Sequence, residues 1–158
     1  MSIEEVKKYL ARWKRDGDIV ELPQSTATVA EAARTLGVDG ARIAKSISLK
    51  KGGGAIVVVT AGDTKIDNRK FKDYFGVKAT MLSPEEALNL TGHAVGGVCP
   101  FALPGSVEVY LDESLKRFAS VFPACGSGNS MIELNLDELA EYSNNRAWVD
   151  VCKKIQQD

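Results

Sequence analysis

Polar caps, apolar residues at helical spacing and closing glycines recur along this chain and predict its helices. Ser2-Ile3-Glu4-Glu5 has the spacing of a capping box, in which side chains satisfy the free N–H groups of a helix start. Val6, Leu10 and Trp13 follow on one face, and Gly17 is the expected stop. Thr28-Val29-Ala30-Glu31 is a second box, leading through Ala32, Ala33 and Leu36 to Gly37. Asp67 is the expected cap of a helix with Phe71, Tyr74 and Phe75 on one side, ending at Gly76. Ser83-Pro84-Glu85-Glu86 is a third box, with proline at the first helical position. Leu136–Tyr142 reads as one or two further turns.

Ile43–Lys50 alternates and predicts a strand. Gly52-Gly53-Gly54 turns it into Ala55–Thr60, a β-branched run that reads as a buried strand. Shorter strands are expected at Ile19–Leu22, Val77–Met81, Val107–Leu111, Ser120–Ala124 and Met131–Leu134. Asp112 opens a short helix, and Gly126-Ser127-Gly128-Asn129 makes a second hairpin turn. From Ala147 the tail fits strand and helix equally. The elements lack the βαβ regularity of a doubly wound sheet, and the hairpins require antiparallel pairing. The expected fold is one compact mixed α/β domain over residues 1–158. Its sheet is mixed and largely antiparallel, flanked by short helices.

Hydrophobic residues make up 44% and charged residues 26% of the chain, the balance of a soluble globular protein. No run approaches the roughly 18 apolar residues of a membrane span, so no membrane association is expected. The N-terminus is acidic without an apolar run, which argues against a signal peptide. Cys99, Cys125 and Cys152 are an odd set without a CxxC, which points to reduced thiols and a cytoplasmic location.

Net charge is −1, but it is unevenly spread. Residues 42–78 hold nine basic side chains against Asp63, Asp67 and Asp73. Residues 79–141 hold nine acids against Lys116 and Arg117. A basic zone on a near-neutral protein suits an anionic partner that touches one face; solvated element faces are the plainer reading.

The candidate chemistry centres on Gly96-Gly97-Val98-Cys99-Pro100, followed by Phe101-Ala102-Leu103-Pro104. Two glycines and two prolines make a stiff loop whose N–H groups a ligand can approach. Lys45 opens an otherwise alternating strand, and if Ile43, Ile47 and Leu49 face inward, so does Lys45. An inward lysine needs an anion or a cavity, unless it snorkels to solvent. His93 is the only histidine and pairs in principle with Cys99 or Cys125 as a thiol nucleophile. No thiol-enzyme signature accompanies them, so a structural role ranks higher. One histidine and scattered cysteines do not make a zinc site, and no metal or other cofactor is expected.

An ordered series of motifs resembles the YbaK family, the prolyl-tRNA synthetase insertion-domain editing family. The series is Thr28-Val29-Ala30-Glu31-Ala32-Ala33, Leu36-Gly37-Val38, Ile43-Ala44-Lys45-Ser46-Ile47, Gly62-Asp63, Thr91-Gly92 and Val95-Gly96-Gly97-Val98-Cys99-Pro100-Phe101. It runs from about Glu21 to Leu139. The resemblance implies hydrolysis of the ester of a mischarged tRNA, typically alanine or cysteine on proline tRNA. With no synthetase around the domain, it implies editing in trans.

It places the family lysine on Lys45 and the G-x-x-x-P motif on Gly96–Pro100. The catalytic set would be Lys45, Gly96, Gly97 and Val98. Thr28, Lys45, Cys99, Pro100, Phe101, Gly126 and Ser127 would bind substrate. Lys65, Arg69, Lys70 and Lys72 would meet the acceptor stem and CCA end. Prolyl-tRNA synthetase is an implied partner, and monomer and homodimer both remain open. Two departures weigh against a cysteine-specific enzyme: Cys125 stands where many relatives carry glycine, and Met131 where the cysteine-editing branch often carries an acid. A non-catalytic module of the same fold, binding tRNA or synthetase, is the alternative.

Overall fold

The computed structural model describes residues 2–155. Helix α1 spans Ser2–Leu10 and passes into a tight turn at Ala11–Trp13. Lys14, at φ 59°, closes that turn, so the helix stops before Gly17. Ser2 lies inside the helix, and its hydroxyl reaches across to His93 Nδ1. Strand β1 (Val20–Glu21) leads to α2 (Val29–Leu36), where Thr28 Oγ1 accepts from Glu31 N–H as expected.

Strands β2 (Ile43–Lys51) and β3 (Gly54–Ala61) form the central hairpin, followed by β4 (Thr64–Ile66) and α3 (Asn68–Phe75), capped by Asp67. Helix α4 spans Pro84–Thr91, with Ser83 and Glu86 capping each other reciprocally. Then come β5 (Glu108–Asp112), β6 (Ser120–Pro123), β7 (Ser130–Met131) and β8 (Leu134–Asn135). Helix α5 (Leu136–Ser143) is a full capped helix, and the tail resolves into β9 (Ala147–Val149) and β10 (Cys152–Lys154).

The main sheet has the order β8-β6-β2-β3-β5-β9. The β2–β3 and β6–β8 pairs are antiparallel; β2–β6, β3–β5 and β5–β9 are parallel. Two antiparallel ribbons, β1–β7 and β4–β10, lie beside it. The expected mixed α/β architecture holds, and both glycine turns make hairpins. At the second, Ala124 faces Met131 in register with the β6–β8 ladder.

Val77–Met81 is not a strand. It makes a single antiparallel bridge, Met81 to Leu49, because Val77 and Met81 are exposed and have no core to join.

Strand β3 is buried on both faces, which explains its unbroken apolar run. Val57, Val59 and Ala61 face a core with α1 and α5, beside Leu10, Phe101 and Leu139. Ile56 and Val58 face a second core with Phe71 of α3 and Tyr110. Each fully buried valine contributes roughly 1.5–3 kcal/mol.

The turn after β3 is held against the turn before β2: Gly62 N–H donates to Ala41 O at 3.2 Å. A Cβ on Gly62 would lie 2.0 Å from Gly40 O, which is backbone and has no rotamer to change. Gly62→Ala is expected to lower stability by about 3 kcal/mol in urea denaturation, because the two turns must separate.

Candidate functional site

The site follows from how one edge of β2 is paired. At its start, Ile43 and Ala44 pair with Phe122 and Pro123 of β6. Near its end, Lys50 N–H donates to Thr80 O at 2.8 Å and Leu82 N–H to Ser48 O at 3.2 Å. Strand groups alternate sides, so the N–H and C=O of Ser46 face the same edge between these two pairings, with no strand opposite among the described residues. A cavity of about 450 Å³ fills this interruption. Thr28 and Val29 line it from α2, Met81 and Leu82 from the bridging segment, and Val95, Gly96 and Val98 from the glycine loop.

Residues from both faces of β2 reach this cavity. Lys45 lies opposite Thr60, on the face whose neighbouring positions Ile47 and Leu49 pack toward α3. It is half-buried and lines the cavity, and among the described residues its ammonium has no ion pair. Burial lowers its pKa, while Cys152 and Asp63 act in the opposite direction. Ser46 points to the other face, and its Oγ is the one buried side-chain polar atom without a partner among the described residues.

The glycine loop divides two cavities. Val95, Gly96 and Val98 face the first; Pro100 and Ala102 face a second, of about 390 Å³, beside Tyr9 and Trp13. Phe101 is fully buried in the core between them. Gly97 is buried, and its N–H donates to Ala94 O at 2.9 Å. A Cβ on Gly97 would lie 2.8 Å from Ser127 N and 2.9 Å from Gly126 O, so only glycine lets this loop seat against the Gly126 turn. Of the residues expected from sequence, Thr28, Lys45, Gly96 and Val98 meet at the first cavity. Gly97, Gly126 and Ser127 are in contact behind it, while Cys99, Pro100 and Phe101 do not line it.

The family model of the aminoacyl-tRNA editing domain matches residues 23–142. The chain belongs to the aminoacyl-tRNA editing domain family. It is 54% identical to the uncharacterized protein YwhH of Bacillus subtilis, over 97% of this chain and 98% of that protein. It is 26% identical to a proline–tRNA ligase of Bacillus licheniformis over 80% of this chain, and spans 22% of that ligase's length. A solved structure described as a proposed trans-editing enzyme for prolyl-tRNA synthetase superposes with a TM-score of 0.86 at 29% identity. That match covers 96% of this chain and 97% of the other.

In this editing domain His93 and Cys99 form a brace, in line with the structural role ranked higher from sequence. His93 Nε2 donates to Phe101 O at 2.8 Å, so Nδ1 is the acceptor for the Ser2 hydroxyl. The Cys99 thiol donates to the same carbonyl at 3.7 Å. Burial pushes that thiol up to about 12, with the bond to Phe101 opposing. A neutral buried thiol is a poor nucleophile.

The editing domain also brings together cations that lie far apart in sequence. Lys65 on β4 stands directly opposite Lys153 on β10, with Lys154 next along the strand. Lys153 and Lys154 escaped sequence reasoning because nothing in the tail announces that it pairs with β4. Arg69, Lys70 and Lys72 are exposed on α3, but Lys70 is tied to Asp150 at 3.1 Å and to Cys152 O at 3.0 Å. Among the described residues, no helix is long and apolar enough to cross a membrane.

Burial lowers the pKa of His93 below 6.5, with the Phe101 bond and Glu5 opposing. Between the lowered folded value and the unfolded one near 6.5, the unfolded chain binds the extra proton. Stability therefore falls as pH drops through that window. Urea denaturation at pH 7.5 and pH 5 should show the stability advantage of wild type over His93→Gln shrinking at the lower pH.

Proposed function

We propose that this editing domain is a trans-acting aminoacyl-tRNA deacylase that hydrolyses the ester of a mischarged tRNA, alanyl- or cysteinyl-tRNA(Pro) above all. The observation that carries the reading is the cavity at the interrupted β2 edge. There a half-buried lysine, with no ion pair among the described residues, lines the same cavity as a glycine loop, in a chain of this family. Support also comes from the relatedness to proline–tRNA ligases and to the structure described as a proposed trans-editing enzyme.

The chemistry asks little of the protein, because an aminoacyl ester is already activated. Water is the nucleophile, in keeping with a buried neutral Cys99. Lys45 holds the terminal phosphate or the ester carbonyl by charge-assisted hydrogen bonds. The loop meets the developing oxyanion from the Gly96 and Val98 side. The vicinal ribose hydroxyl relays the proton. A cavity with Val29, Ile47, Met81 and Val95 on its walls sorts side chains by size and discriminates weakly among small ones. The acceptor stem lies along the β4–β10 ribbon and α3, where Lys65, Lys153, Arg69 and Lys72 meet its phosphates.

The deciding test is release of amino acid from alanyl-, cysteinyl- and seryl-tRNA(Pro). Turnover of at least one is expected; none across the panel would favour a binding module without catalysis. Lys45→Ala should lower kcat/KM by roughly 10–100-fold, the scale of a hydrogen bond to a charged group, whereas an unchanged rate would remove the anchor. Reversing Lys65 and Lys153 to glutamate should raise KM for tRNA by about tenfold and flatten its dependence on salt. A KM and salt slope equal to wild type would place the stem elsewhere.

A further inference from the structure

The orphaned hydroxyl of Ser46 needs an explanation, because an unsatisfied buried donor costs folding free energy. Folded proteins rarely leave such a group unpaired without a purpose. Ser46 is placed where a ligand would supply the partner. It lines the cavity at the stretch of β2 edge that neither β6 nor the Thr80–Leu82 segment covers.

Strand alternation separates Ser46 from Lys45. Lys45 stands opposite Thr60, while Ser46 stands opposite Val59, which faces the α1 and α5 core. Val98 lies on the Ser46 side too, packed with Ala55, Leu82 and Ala87. Among the described residues the Val98 N–H has no intramolecular acceptor, whereas Gly97 N–H is spent on Ala94 O. Among the described residues the Ser46 hydroxyl and the Val98 N–H are thus unpaired donors on one side of the cavity, and the Lys45 ammonium is the charged donor on the other.

Resting on the deacylase reading, we propose that Ser46 is a catalytic residue. Its Oγ–H donates to the ester carbonyl oxygen as that oxygen becomes an oxyanion, while Lys45 on the opposite face grips the terminal phosphate. In the step, a water oxygen bonds to the carbonyl carbon and the C=O π pair moves onto the oxygen that Ser46 holds. The water gives up a proton through the vicinal ribose hydroxyl. The tetrahedral intermediate then re-forms C=O, the bond from carbon to ribose oxygen breaks, and the leaving oxygen takes the proton. The products are a free amino acid and an uncharged tRNA, and no other reactant is needed.

The test is single- and multiple-turnover deacylation of alanyl-tRNA(Pro) by wild type, Ser46→Ala and Ser46→Thr, with thermal melting of each unliganded protein. Ser46→Ala should lose about 100-fold in kcat, the scale of one oxyanion donor, with KM within threefold of wild type. Ser46→Thr, which keeps the hydroxyl, should recover most of that loss. Ser46→Ala should also melt no lower than wild type, since its orphan donor is gone; a merely structural hydroxyl would lower the melting temperature on removal. An active wild type with Ser46→Ala within threefold of its kcat, or with Ser46→Thr as impaired as Ser46→Ala, would overturn the role of Ser46 and leave the deacylase reading standing. A wild type that hydrolyses no aminoacyl-tRNA in the panel would overturn both.

Discussion

The site depends on one constraint: among the described residues, β2 is hydrogen-bonded along the whole of one edge and only at the two ends of the other. The continuous edge is the β3 ladder, which runs from Ala44 to Lys51 and anchors the strand in the middle of the sheet. The interrupted edge leaves Ser46 facing open space between Ala44 and Ser48. Unpaired backbone in the middle of a sheet is costly unless water or a ligand meets it. The cavity is thus a product of strand pairing, and its most informative side chains, Lys45 and Ser46, are neighbours on one strand that serve opposite faces.

Holding that gap open is the task of three loops that touch one another. Thr26 N–H donates to Gly128 O at 2.6 Å, tying the segment before α2 to the Gly126 turn. Gly97 seats the glycine loop on the same turn, and His93 ties that loop through Phe101 to Ser2 at the start of α1. The only histidine and the cysteine beside it work as fasteners. A loop fastened in this way presents its N–H groups to the cavity in a set geometry.

Much of this was legible in the residues. The β2–β3 hairpin, the caps at Thr28, Asp67 and Ser83, and the prominence of Lys45 all follow from local patterns of charge, glycine and apolar spacing. Other features depend on contacts between distant segments. The parallel pairing of β3 with β5 is not written in either strand. The spending of the Gly97 N–H on Ala94 is decided by the loop's own turn. Val77–Met81 has strand-like residues but no core to cover, so propensity lost to packing. Ser46 belonged to the family-like Ile43–Ile47 motif but carried no role of its own; only the pairing of the sheet shows that its hydroxyl is buried and, among the described residues, unpaired. Lys153 and Lys154 joined the basic ribbon for the same reason, through a strand partner far away in sequence.

On the proposed reading, the interrupted β2 edge seats the aminoacyl ester at the 3′ end of a tRNA. The most direct measurement is a structure, or a map of amide chemical shifts, with a non-hydrolysable 3′-alanylamino-3′-deoxyadenosine. Contacts are expected at Lys45, Ser46 and Val98, with the acyl carbonyl on the Ser46 side. Binding confined to the second cavity, beside Tyr9, Trp13 and Pro100, would contradict it.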